Sequence, residues 1–203
     1  IREMIAAHYN HPSIYIWGIL NECASDTEYG KSCYKAQFEL IESLDKTRPR
    51  SFSSCRFKTD ICFDLVDVVS YNIYPKWYHN TPVAEYLDDL YKWIQTTPGE
   101  GKPFLITEVG AGAIYGYRTP AKVKWSEEYQ VQALEEQLNA ILSYNDCSGV
   151  YIWQFCDVRV TNDWWNTRPR TMNNKGIVDE YRRPKLAYET VKKIFSSVDT
   201  YRE

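Results

Sequence analysis

Short apolar runs bounded by turn residues alternate along this chain with segments of helical periodicity. No other feature restricts the fold as much. The strand-like runs are Ser13–Leu20, Arg50–Phe57, Val66–Tyr74, Pro103–Thr107 and Gly149–Phe155. Helical spacing fills Tyr29–Leu44, with Tyr34, Phe38, Ile41 and Leu44 roughly on one face. It returns in Val83, Leu87, Leu90 and Ile94, in Val131, Leu134, Leu138 and Ile141, and in Leu186, Val191, Ile194 and Phe195. Thr81-Pro82 reads as an N-cap followed by proline at the first helical position. Ser126 can cap the helix that carries Glu127 and Glu128 in its first turn, where the helix dipole favours anions. Read in order, this gives five strands separated by four helices, with one helix before the first strand and one after the last. Such alternation implies a parallel α/β sheet with right-handed crossovers. Ser13–Leu20 is nearly all apolar, as a strand buried on both faces reads.

Composition removes several classes of function. The chain has 203 residues and a net charge of −3, too small to indicate a nucleic-acid or membrane-surface binder. Hydrophobic residues make up 44% and charged residues 25%, as in a soluble globular chain. No apolar run approaches the roughly 18 residues of a membrane-spanning helix. None of the six cysteines stands in a CxxC pair, so reduced thiols and a cytoplasmic location are expected. The three histidines are not grouped with carboxylates, and no glycine-rich phosphate cradle occurs. Neither a metal nor a cofactor is expected.

In a parallel α/β sheet, ligands bind at the carboxyl ends of the strands. Asn21-Glu22 follows the first strand, and Tyr74, Trp77 and Tyr78 stand at or beyond the end of the third. Glu108 follows the fourth. Trp153 lies near the end of the fifth, with Asp157 just beyond. Two carboxylates, an amide and several aromatic rings suit a sugar: rings stack on its faces, and amides and carboxylates bind its hydroxyls. Two carboxylates also suit glycosidic cleavage, where one protonates the leaving oxygen and the other attacks the anomeric carbon. Each of these residues also has a plainer reading, as a strand terminator, a solvated charge or a core ring. For Trp17, inside its strand, the core role is the expected one.

His11-Pro12-Ser13-Ile14-Tyr15-Ile16-Trp17-Gly18-Ile19-Leu20-Asn21-Glu22 resembles the acid/base signature of glycoside hydrolase family 2. Ile106-Thr107-Glu108-Val109-Gly110 resembles that family's nucleophile strand. Trp125-Ser126-Glu127-Glu128-Tyr129-Gln130, Trp153-Gln154-Phe155-Cys156-Asp157 and Asn173-Asn174-Lys175-Gly176-Ile177-Val178, followed by Arg183-Pro184-Lys185, are similar to further family motifs. Within the family the likeness is greatest to the β-glucuronidases.

This resemblance implies Glu22 as general acid/base and Glu108 as nucleophile of a retaining enzyme, their carboxyl groups roughly 5–5.5 Å apart. It implies Asn21 on the sugar 2-hydroxyl, Tyr74 holding the nucleophile and Trp153 as the floor of the sugar subsite. Asn173 and Lys175 would read the C6 carboxylate of a glucuronide, with Tyr78 beside them. An ammonium and an amide donor suit a carboxylate and gain little from a neutral hydroxymethyl. The sequence departs from the family where Asn174 stands in place of a second basic residue, and where Pro75-Lys76 follows Tyr74. A complete (β/α)8 TIM barrel has eight strands and typically ~250 residues. The five strands here, and a start at Ile1 that already reads as helix, predict residues 1–203 to be the C-terminal portion of such a barrel, strands four to eight. The expected partner is a carbohydrate or glucuronide-conjugate substrate, with no nucleic acid and no membrane, and a homo-oligomer in the complete protein. Two alternatives are a β-galactosidase-type hydrolase of a neutral sugar and an inactive barrel fragment.

Overall fold

The computed structural model of the chain describes residues 1–198. Five strands, β1 (Trp17–Asn21), β2 (Arg50–Ser54), β3 (Val69–Asn72), β4 (Phe104–Val109) and β5 (Cys147–Ile152), form one parallel sheet in sequence order. The helices are α1 (Arg2–His8), α2 (Glu28–Leu44), α3 (Val83–Ile94), α4 (Glu127–Leu142) and α5 (Leu186–Ser196). A short antiparallel ribbon pairs β6 (Val158–Arg159) with β7 (Met172–Asn173). The chain divides into two compact units. The first holds Ile1–Ile73, Leu87–Thr107 and Asp146–Gly149; the second holds Tyr74–Tyr86, Glu108–Asn145 and, among the described residues, 150–198.

The first unit is organised around aromatic rings. Tyr34, Phe38 and Ile41 of α2 share one face at i, i+4 and i+7 and are at most 2% exposed. Tyr34 meets Phe52 of β2 edge-on at 4.8 Å, and Phe52 stacks on Phe63 at 6.0 Å. Leu87, Leu90 and Ile94 complete this core from α3. Truncating a ring such as Phe38 to alanine is expected to cost about 3–5 kcal/mol. Thr27 caps α2, its hydroxyl accepting from the Gly30 N–H at 3.0 Å. The helix stops at Leu44, five residues ahead of Pro49.

In the second unit Leu134, Leu138 and Ile141 form the buried stripe of α4, which packs against α5. Ser126 caps α4 as the sequence predicts, accepting from the Tyr129 N–H. Glu127 does more than face the helix dipole. It is fully buried and accepts from the N–H of Leu186, the first residue of α5, at 2.6 Å. That carboxylate supplies the cap that Lys185, at the N-cap position of α5, does not.

Several sequence expectations need correction. Between β2 and β3 lies only a 3-10 turn, Phe63–Leu65, so three α-helices, not four, separate the five strands. The segment there carries no helical apolar stripe. The apolar run from Ser13 enters the sheet only at Trp17, and of β1 only Trp17 is buried. Trp17 is a core residue as expected, 3% exposed, its indole N–H bonded to Asp45 at 2.9 Å. Glu108 lies inside β4, whereas Trp153 stands just beyond β5. The stretch from Cys156 to Pro184 contains the β6–β7 ribbon and two 3-10 turns.

Candidate active site

In the first unit the end of β1 carries Asn21, and Glu22 follows with a left-handed backbone at φ 53°. A non-glycine residue in that region costs of order 1–3 kcal/mol and persists only where its neighbours impose it. Here the Glu22 N–H donates to the Ser53 carbonyl at 2.9 Å, and the β1–β2 register shifts between Gly18 and Asn21. The chain thus swings out of the strand at the carboxylate. Asn72, the last residue of β3 and 5% exposed, bridges the strand ends. Its Nδ2 donates to Asn21 Oδ1 and to Glu22 Oε1, both at 2.9 Å, and its Oδ1 accepts from Thr107 Oγ1 at 2.8 Å. With the Asn21 oxygen engaged, the amide –NH₂ is the end of Asn21 suited to a ligand hydroxyl.

In the second unit Tyr74 donates its hydroxyl hydrogen to Glu108 Oε2 at 2.5 Å. The turn after Tyr74 is pinned from α4. Gln137 donates to the Pro75 carbonyl at 2.7 Å, Tyr129 donates to the Lys76 carbonyl, and Lys76 pairs with Glu136 at 2.9 Å. Lys76 itself is left-handed, at φ 68°. The unusual Pro75-Lys76 pair therefore makes a fixed turn that brings Tyr78 back against Tyr74, ring to ring at 5.2 Å.

Lys175 is 4% exposed, yet its ammonium forms no ion pair among the described residues. It donates to the Tyr78 hydroxyl at 2.9 Å and lies 4.9, 5.1 and 5.7 Å from the ring centres of Tyr74, Tyr78 and Trp77. Burial pushes its pKa down, and the Tyr78 oxygen and the Glu108 charge pull it back. A cation desolvated among ring faces, with no carboxylate in ion-pair contact among the described residues, is the complement of an anion. Arg168 adds a second cation: its Nη2 lies 3.4 Å from the Tyr78 oxygen, and its guanidinium stands over Trp164 at 5.6 Å. Tyr78 is held below the ordinary phenol range because Lys175 and Arg168 outweigh its own burial. Asn173, on β7, accepts from the Lys175 N–H at 3.2 Å through Oδ1.

Trp153 is 39% exposed, and its N–H donates to the Val109 carbonyl at 2.9 Å. Its peptide bond to Gln154 is cis. Gly110 is required beside it, since a Cβ there would stand 2.3 Å from the Trp153 carbonyl oxygen. Asp157 is 2% exposed and paired with Lys185 at 2.8 Å. Among the described residues no group of three or more His, Cys, Asp or Glu side chains is arranged to hold a metal ion, and no helix is long and apolar enough to cross a membrane.

The first unit therefore joins Asn21 and Glu22, and the second joins Tyr74, Tyr78, Glu108, Asn173 and Lys175. Residues 1–200 match the model of the glycosyl hydrolases family 2, TIM barrel domain. The chain belongs to glycosyl hydrolase family 2. Among solved structures, a GH2 β-galacturonidase from Eisenbergiella tayi bound to galacturonate is 75% identical, with a TM-score of 0.97 over 98% of this chain and 36% of its own. The β-D-glucuronidase of Dictyoglomus thermophilum is 27% identical, with a TM-score of 0.90 over 100% of this chain and 35% of its own. The β-glucuronidase of Rattus norvegicus is 32% identical over 91% of this chain and 29% of its own length. This family 2 chain thus spans about a third of the length of the relatives it matches.

Two residues of the site were not anticipated. Asn72 reads in sequence as the polar end of a strand, and only the parallel register sets it beside Asn21 and Glu22. Arg168 lies in a loop without periodicity, seven residues before Lys175. It supplies a second positive charge although Asn174 is neutral.

Proposed function

We propose that this chain carries the catalytic groups of a retaining glycoside hydrolase that removes a terminal β-linked uronic acid. The observation that carries the reading is the buried ammonium of Lys175, without an ion pair among the described residues, bonded to Tyr78 and packed on the ring of Tyr74, which in turn holds Glu108. Glu108 attacks the anomeric carbon while Glu22 protonates the departing oxygen. A covalent glycosyl ester of Glu108 forms, and Glu22 then takes a proton from the water that releases the sugar. Asn21 holds the 2-hydroxyl, Trp153 lies beneath the ring, and Lys175, Asn173 and Tyr78 take the C6 carboxylate. The chain is the second part of a (β/α)8 barrel in this reading.

The C4 epimer separates two substrates. The 75% identity to a protein whose crystal holds galacturonate favours a β-galacturonide. The glucuronide is the second reading, favoured by the curated relatives named β-glucuronidase. The test is turnover of chromogenic β-galacturonide, β-glucuronide and β-galactoside by the complete protein. Faster turnover of either uronide than of the galactoside is expected. A preference for the galactoside would contradict the carboxylate reading, and no turnover of any of the three would mark an inactive barrel.

A further inference from the structure

Lys185 is 2% exposed, and its ammonium has three hydrogens and three acceptors: the Ala113 carbonyl at 2.6 Å, Asp157 Oδ1 at 2.8 Å and the Asn174 carbonyl at 3.1 Å. Asp157 Oδ1 also accepts from the Gly176 N–H at 2.8 Å. The ion pair therefore grips the backbone on both sides of Lys175, by the carbonyl before it and the N–H after it. The Ala113 N–H meets the same Asn174 carbonyl at 2.8 Å, which ties this turn to the chain five residues beyond Glu108. Gly176 makes the grip possible, because a Cβ there would stand 2.4 Å from the Asp157 nitrogen.

Stability alone is a weak reason for such a pair. Buried ion pairs commonly do no better than well-packed apolar residues of similar volume. This one has both side chains fully buried. Burial pushes the Asp157 carboxyl up to about 6 against the pull of Lys185 and Gly176. What the pair does accomplish is local: it fixes two peptide groups that flank a single side chain.

We propose that Asp157 and Lys185 are positioning residues that set the direction of Lys175 toward the substrate carboxylate. The proposal rests on the uronide reading above. Its test is a double-mutant cycle in the complete protein, with Lys175→Ala, Lys185→Met and the two combined, read as kcat/KM on a chromogenic uronide alongside the melting temperature. Lys185→Met is expected to lose about tenfold or more, and the combined variant to be no worse than Lys175→Ala within about threefold, because both remove the same contact. Losses that multiply in the combined variant, or no loss in Lys185→Met, would overturn the proposal. A Lys175→Ala variant with unchanged kcat/KM would instead overturn the uronide reading on which it rests. Should Lys185→Met fail to fold, Asp157→Asn, which keeps an oxygen for the Gly176 N–H, is put through the same cycle and judged by the same outcomes.

Discussion

Tyr74→Phe isolates one hydrogen bond at the proposed nucleophile. The hydroxyl reaches Glu108 Oε2 at 2.5 Å, and both residues are half-buried. A hydrogen bond to a charged partner contributes about 1.5–3 kcal/mol. At 1.36 kcal/mol per tenfold in rate, its loss is expected to lower kcat/KM by roughly 10- to 150-fold. Phenylalanine keeps the ring face that Lys175 approaches at 4.9 Å. The preference for a uronide over the matching neutral glycoside should therefore stay within about threefold of the native ratio. The assay is steady-state hydrolysis of the two chromogenic substrates, with melting temperature as a control for folding. A change under twofold would refute the positioning role of the hydroxyl. A collapse of the uronide preference would show that Tyr74 acts chiefly through the carboxylate site.

Lys175→Met should separate the substrates in the opposite way. Loss of a desolvated charge pair costs 2 kcal/mol or more, so kcat/KM on the uronide should fall roughly 30-fold or more while that on the neutral glycoside holds, as the same assay reads. Asn72→Ala removes the amide shared by Asn21, Glu22 and Thr107, and about tenfold or greater loss of kcat is expected, with reduced thermal stability. Asp45 gives a pH prediction. Burial pushes its carboxyl up, but hydrogen bonds from Thr47, Trp17 and Arg48 outweigh this and hold it well below the usual carboxylate range. Its contribution is then fully present above about pH 4 and fades as the pH falls through the folded value. The gap in unfolding temperature between the native protein and Asp45→Asn should be widest at pH 5 and above and narrow toward pH 3.

The alternation of apolar runs and helical stripes was enough to read a parallel sheet, because each run buries side chains whose period survives in one dimension. The cap at Ser126 and the core role of Trp17 were legible for the same local reason. The β2–β3 crossover was expected to be helical although its 14 residues show no helical stripe, and it folds with a single 3-10 turn. Glu22 and Glu108 were singled out as candidates by their place after apolar runs. The left-handed backbone of Glu22 was invisible, because it is imposed by Ser53, 31 residues away. Asn72, Arg168 and the Asp157–Lys185 pair act through partners distant in sequence, and each reads locally as an ordinary polar residue.

The account turns on Glu108 as the residue that bonds to the sugar. The most direct measurement is to inactivate the complete protein with a 2-deoxy-2-fluoro-β-uronosyl fluoride, digest it and map the added mass. The account predicts one equivalent of label, carried by the peptide that contains Glu108 and absent in Glu108→Gln. Label on any other residue, or steady turnover of the reagent with no covalent species, would contradict it.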